Sequence, residues 1–187
     1  MVFIKEIKQK IGNYLLKRRL RNFARQREWK NLGKCRSVLI LSSSIDDLEA
    51  ADTVRLISYF KQLNKEVCSL HYLGERKTEA KAQVADMKTF STLHLNKVNI
   101  PKEAFIQDLV DRDFDLFIDL SLGEAFPLKY IHAMSKSKLK VGASMNYKMH
   151  FADFTIDISK NQTVTYLITQ LKYYLTQINQ DQHVTQF

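Results

Sequence analysis

The sequence predicts an α/β domain of the Rossmann-like, three-layer kind, with a mainly parallel sheet between two helical layers, preceded by a long basic N-terminal helix. Three observations predict it. From Ser37 onward, short apolar runs alternate with amphipathic stretches, the pattern of parallel strands joined by helical crossovers. Two of those runs, SVLILSS (37–43) and FDLFIDLS (114–121), are apolar without alternation, as in strands covered on both faces. The charge is also unevenly placed. Met1 to Arg36 holds 12 Lys and Arg against Glu6 and Glu28, about +10, whereas residues 37–187 hold 17 basic and 18 acidic residues, about −1.

The basic stretch reads as helix over residues 2–27, having no Pro and one Gly. Phe3, Ile4, Ile7, Ile11, Tyr14 and Leu15 share one face of it, and Leu16, Leu20 and Phe23 lie nearly opposite. Such a switch predicts two successive contacts, one with the chain's own domain and one with a partner, or a break near Leu16. Asn31 to Arg36 reads as a linker. This divides the chain into a basic arm and linker, 1–36, and a single domain, 37–187.

Within the domain, Ser37 to Ser43 is the first strand. Ser44 with Asp47 reads as a capping box for a helix from Ile45 to Asn64. Glu66 to Leu73 is the second strand, and the polar run before Met87 leads to a third over Thr89 to Leu95. Pro101 marks a helix start, giving Lys102 to Asp111, and Phe114 to Ser121 is the fourth strand. A short helix follows Pro127 and runs to Ser135. Strands at Lys140 to Ala143 and Phe151 to Ile158 come next. Val164, Leu167, Ile168, Leu171, Tyr174, Leu175 and Ile178 form the stripe of a closing helix, and Gln177 to Phe187 is a polar tail.

No stretch approaches the ~20 apolar residues of a membrane span, and the lysine-interrupted N-terminus does not read as a secretory signal. A cytoplasmic protein is expected, either free or peripheral to the inner membrane. Cys35 and Cys68 form no CxxC pair and have no His at metal spacing, so they read as structural thiols, with no metal expected. Ligands of open α/β sheets bind at the carboxyl ends of the strands. There the chain offers Ser42, Ser43, Ser44 and Asp46, and then Asp119, Ser121 and Glu124. The five glycines form neither GxGxxG nor GxxxxGK, so a nucleotide cofactor is disfavoured and none is expected. The serines read as caps and turns, and Asp119 reads as a carboxylate bonded to loop amides. No nucleophile with a recognisable base appears. His71 and His94 close neighbouring strands and approach each other if those strands pair. Phe60, Tyr72, Phe90, Phe105, Phe114, Phe117 and Phe154 read as core rather than as a base-stacking platform.

Two resemblances attach to these segments. FDLFIDLSLGEAFPLKYIHAMSKSKLKVG locally resembles the N-terminal domain of heptosyltransferase-type GT-B glycosyltransferases, over about thirty residues. That family needs a second, nucleotide-sugar-binding domain, and no catalytic residue carries over. From the basic helix through SSSIDDLEAADT, FDLFIDLSLGEAFPLKYI and VGASMN to FADFTIDI, the chain resembles an uncharacterised single-domain family of Bacteroidetes, which implies one domain and a bacterial cytoplasm.

The leading expectation is a non-enzymatic adaptor that docks on structured RNA or a ribosome-associated complex. Lys17, Arg18, Arg19, Arg21, Arg25, Arg27 and Lys30 would meet its phosphates. The second expectation is a peripheral membrane protein using the same helix on an anionic surface, with Val2, Phe3, Ile4, Ile7 and Ile11 in the interface. The third is a small transferase or hydrolase with a pocket joining Ser42 to Asp47 with Asp119 to Glu124.

Overall fold

The apolar run of β1 (Ser37–Ser42) holds the centre of the sheet. It pairs in parallel with β2 (Glu66–Tyr72) on one side and with β4 (Leu116–Asp119) on the other. A computed structural model describes residues 2–43, 47–74 and 87–177. Among these, six parallel strands form one sheet in the order β3-β2-β1-β4-β5-β6, with β3 at Met87–Phe90, β5 at Leu139–Ala143 and β6 at Phe154–Ile156. The chain order reverses between β1 and β4, as in doubly wound folds.

Alternation along each strand divides the core in two. Val38, Ile40, Leu116, Ile118, Leu139 and Val141 face α2 (Asp47–Gln62) and α6 (Val164–Gln177). Leu39, Leu41, Leu70 and Phe117 face α3 (Ala104–Asp111) and α4 (Phe126–Met134). Phe60, Phe90, Phe114 and Phe117 are fully buried, and Tyr72, Phe105 and Phe154 pack against the same clusters. The aromatic residues are core, as their positions predict.

The helix α1 (Val2–Leu20) lies outside α4. Its buried Leu16 joins Ile100, Phe126, Tyr130 and Ala133 in a third apolar cluster. Close approach is possible because Gly12 has no side chain: a Cβ there would lie 2.8 Å from Phe126 Cζ and 2.9 Å from the Val98 carbonyl oxygen.

Three boundaries differ from expectation, each for a local reason. The first helix stops at Leu20 rather than continuing to 27. A turn forms, with Phe23 N–H donating to Leu20 O, and the chain then runs as a strap along the amino ends of β6, β5 and β4. There Arg25 reaches Asp153 and the Ser137 carbonyl, Glu28 N–H donates to Lys138 O, and Lys30 reaches Asp115. β3 ends at Phe90 because Ser91 and His94 close a capping box over a single 3₁₀ turn, Thr92–His94. The expected strand from Phe151 instead begins as α5 (Lys148–Phe151), with β6 following from Phe154. The expected Ser44–Asp47 cap, the polar run 75–86 and the tail 178–187 lie outside the described residues.

Candidate functional site

The charged groups of the N-terminal stretch fall into two sets. Arg25 is buried and forks onto Asp153, with NH1 to Oδ2 at 2.7 Å and NH2 to Oδ1 at 2.5 Å. Its NH1 also donates to Ser137 O at 2.8 Å. Lys30 donates to Asp115 Oδ1 at 2.8 Å, and the same carboxylate accepts from Arg36 N–H at 2.9 Å. Burial works to raise the Asp115 pKa, but Lys30, the Arg36 amide and Lys138 outweigh it and hold it at about 2. Arg19 donates to the buried Tyr130 hydroxyl, its guanidinium 5.6 Å from the ring centroid. These three cations fasten the N-terminal segment to the domain.

Lys17, Arg18 and Arg21 are exposed and make no ion pair among the described residues. Arg27 leaves 74% of its side chain exposed while its Nε sits 3.5 Å from Asp153. Facing outward, like Lys17, Arg18 and Arg21, is an apolar row: Ile7 is 41% exposed, Ile11 45% and Tyr14 64%, against 1% for Leu16 on the docked side. The spacing i, i+4, i+7 puts the three on one stripe, and Arg18 extends it. Lys8 and Lys10 are further exposed cations on this helix. The two apolar faces read from the sequence thus divide, Leu16 and Leu20 against α4 and Ile7, Ile11 and Tyr14 outward, except that Leu15, read with the outward face, packs on the docked side.

The other residues singled out by the sequence lie at the carboxyl ends of β1 and β4. Ser42 is buried, with Oγ 2.9 Å from Nδ1 of His71, its register partner on β2. Ser43 is half-buried, and Ser44 and Asp46 lie outside the described residues. His71 and His94 do not meet: His94 turns back to accept from Ser91 N–H at 3.0 Å. Asp119 is wholly buried and accepts four hydrogen bonds. Ser121 N–H (3.0 Å) and Ser121 Oγ (2.5 Å) meet Oδ1, while Tyr147 Oη (2.8 Å) and His132 Nδ1 (2.9 Å) meet Oδ2. The loop amide expected for Asp119 is therefore present, and three side chains add to it.

Lys148 completes this cluster from above β5. Its aliphatic stem fills the space over Gly142, where a Cβ would lie 2.6 Å from Lys148 Cδ, and Gly142 is the register partner of Asp119. Burial works to raise the Asp119 pKa, but the Lys148 charge and the His132 and Ser121 hydrogen bonds outweigh it, and Asp119 is held below its ordinary value. Burial pushes His132 and Lys148 down and Tyr147 up. The carboxylate can only accept, so Nδ1 of His132 carries the proton between them, while His132 Nε2 is buried and without a partner, as is Lys148 Nζ. None of these partners was legible as such, because each sits on a later element; only Gly142 inside a buried strand signalled a close approach there.

Four clefts among the described residues are lined by other groups than Ser42, Asp119 and Ser121. Glu124 is exposed, and faces a cleft of about 420 Å³ with Lys8, Gln9, Tyr72, Gly74 and Phe126. Glu124 thus stays at the surface, where its charge acts on Tyr147 and Lys148 of the cluster, and it makes no hydrogen bond with the buried Asp119. No metal-ligating group of three or more His, Cys, Asp or Glu occurs among the described residues. Both cysteines are free thiols, and burial raises the Cys35 pKa to about 11. No helix among the described residues is long and apolar enough to cross a membrane.

The order of strands, the two helical layers and the polar carboxyl ends define a doubly wound parallel α/β domain carrying an additional, externally docked helix. The chain belongs to a family of unknown function, DUF6913, which it matches over residues 8–178. No curated protein and no solved structure is detectably similar to it. The matched span includes most of α1 and the whole strap, so both are part of what defines the family's extent.

Proposed function

We propose that this protein is a non-enzymatic peripheral module that seats the outward face of α1 on an anionic membrane surface. The observation that carries this reading is the exposed row Ile7, Ile11 and Tyr14 on a helix whose opposite face is already buried. A docked helix gains nothing within its own domain from that row, whereas a lipid interface takes up such side chains while flanking cations meet headgroups. Lys10, Lys17, Arg18 and Arg21 supply the charge, at about 1 kcal/mol each near an anionic surface. Partial burial of the apolar row adds roughly 1 kcal/mol per side chain, so reversible attachment is expected.

Phosphate-directed docking on RNA is weakened because Arg19, Arg25 and Lys30 are spent on the domain. It also assigns no role to the isoleucines. Against an enzyme stands the interior placing of Asp119 and Ser121, whose polar atoms satisfy one another.

Flotation with phosphatidylcholine vesicles, with and without about 30% phosphatidylglycerol, tests the reading alongside ribosome co-sedimentation. The full chain is expected to float only with the anionic vesicles, and both I7S/I11S and R18E/R21E are expected to lose this. Undiminished flotation of I7S/I11S, or no flotation at all, overturns it. Salt-sensitive sedimentation with ribosomes that survives I7S/I11S and fails in R18E/R21E would put RNA in its place.

A further inference from the structure

A second cleft, of about 370 Å³, opens beneath the strap and is lined by Leu20, Phe23, Arg25, Arg27, Lys140 and His150, with Phe151 at its wall. Lys140 is the second residue of β5 and only 2% exposed. Its Nζ donates to the carbonyl oxygens of His132 at 2.7 Å and Ala133 at 3.1 Å, the last turn of α4, which leaves one N–H unspent. Arg25 and Arg27 share a single carboxylate, Asp153, which also accepts from the backbone N–H of Lys140. Arg25 bonds both of its oxygens, and the Arg27 guanidinium, 74% exposed, extends past it toward solvent.

We infer that this cleft binds a phosphomonoester, with Arg27, Lys140 and His150 as donors to the phosphate and Leu20, Phe23 and Phe151 against its organic part. Two guanidiniums, a lysine and a histidine around one paired carboxylate leave an excess of positive charge that a dianion neutralises. Tetrahedral phosphate accepts from donors converging out of the strap, β5 and α5, which a planar carboxylate serves less well. The local potential agrees: burial, then the charges of Arg25 and Arg27, pull the Lys140 pKa down to about 7 in spite of Asp153. A bound dianion reverses that, so binding near neutral pH takes up a proton. This inference does not depend on the membrane reading, since soluble and lipid phosphomonoesters present the same group.

Calorimetric titration of the full chain with glycerol 3-phosphate and with inorganic phosphate, in two buffers of different ionisation enthalpy at pH 7.5, tests it. Vesicles containing phosphatidic acid are compared in parallel with vesicles containing phosphatidylserine at equal charge. Saturable binding of the soluble ester, weakened at least tenfold in R27A and with proton uptake lost in K140M, supports the site with a soluble ligand. Selective binding of phosphatidic acid that R27A abolishes supports it with a lipid source. Arg27 is exposed, so R27A retains the fold and remains decisive if K140M does not fold. No binding in either arm, or binding indifferent to R27A, overturns the proposal.

Discussion

The Arg25 guanidinium holds the Asp153 carboxylate through both terminal nitrogens, and each side chain is only 6% exposed. The same carboxylate accepts from Lys140 N–H at 2.8 Å, so one ion pair ties the strap to the start of β5 and the approach to β6. Truncating one member of a buried pair leaves the other charge uncompensated, at a cost of about 3–5 kcal/mol. Arg25→Ala is expected to lower stability by that order in urea titration, and Arg25→Ala/Asp153→Ala by clearly less than the sum of the single changes.

Gly12 marks the tightest crossing of α1. Gly12→Ala would drive a methyl group against Phe126 and the Val98 carbonyl, an overpacking worth about 1–3 kcal/mol, although alanine is the better helix former. The expected result is faster amide exchange over residues 6–20 with the sheet still protected. Unchanged protection of α1 would show that the crossing is looser than its geometry.

The Asp119 cluster balances one buried carboxylate against one buried ammonium. Asp119→Asn leaves Lys148 with only the exposed Glu124 as counter-charge and presents an amide to two donors, Tyr147 and His132. A loss of at least about 3 kcal/mol is expected. Lys148→Met in that background should restore part of it, read as a rise in the urea midpoint over Asp119→Asn alone.

Stability should climb with pH just above neutrality. Lys140 titrates at about 7 in the folded chain against an ordinary 10.5. Between those values the unfolded chain binds a proton that the folded chain does not, and stability rises as pH rises. The slope approaches about 1.4 kcal/mol per pH unit where the difference is one full proton. Lys148, also lowered, contributes in the same direction. Lys140→Met is expected to flatten the rise between pH 7 and 8.5 in phosphate-free buffer. It should leave the acid side intact: His132 and His71 are both lowered by burial, so the unfolded chain takes up protons first and stability falls below about pH 6.5.

What was legible in the sequence follows from how local each signal is. β1 and β4 stand out because an uninterrupted apolar run has few other readings, and the stripe of α6 fixes that helix to within a residue. The end of α1 was hidden because nothing near Leu20 forbids a helix. What extends the strap is a set of partners, Asp153, Lys138 and Asp115, that lie far along the chain. The same holds at the carboxyl end of the sheet. Asp119, Ser121 and Ser42 are visible as polar residues ending apolar strands, but His132, Tyr147 and Lys148 reach them only through the βαβ crossovers. The basic residues 17–30 looked alike in sequence, and only packing separates those that fasten the segment from those that face out.

The distance along the chain between the strap and its anchors also sets an order of events during synthesis. Arg25 and Asp153 are separated by 128 positions, so at about 5–20 residues per second the anchor emerges on the order of ten seconds after the arginine. Phe126 and Tyr130, which cover Leu16, are little earlier. For that interval the nascent N-terminal segment has neither of its own contacts and carries apolar side chains on both sides, and its docking is among the last steps as the polypeptide leaves the tunnel.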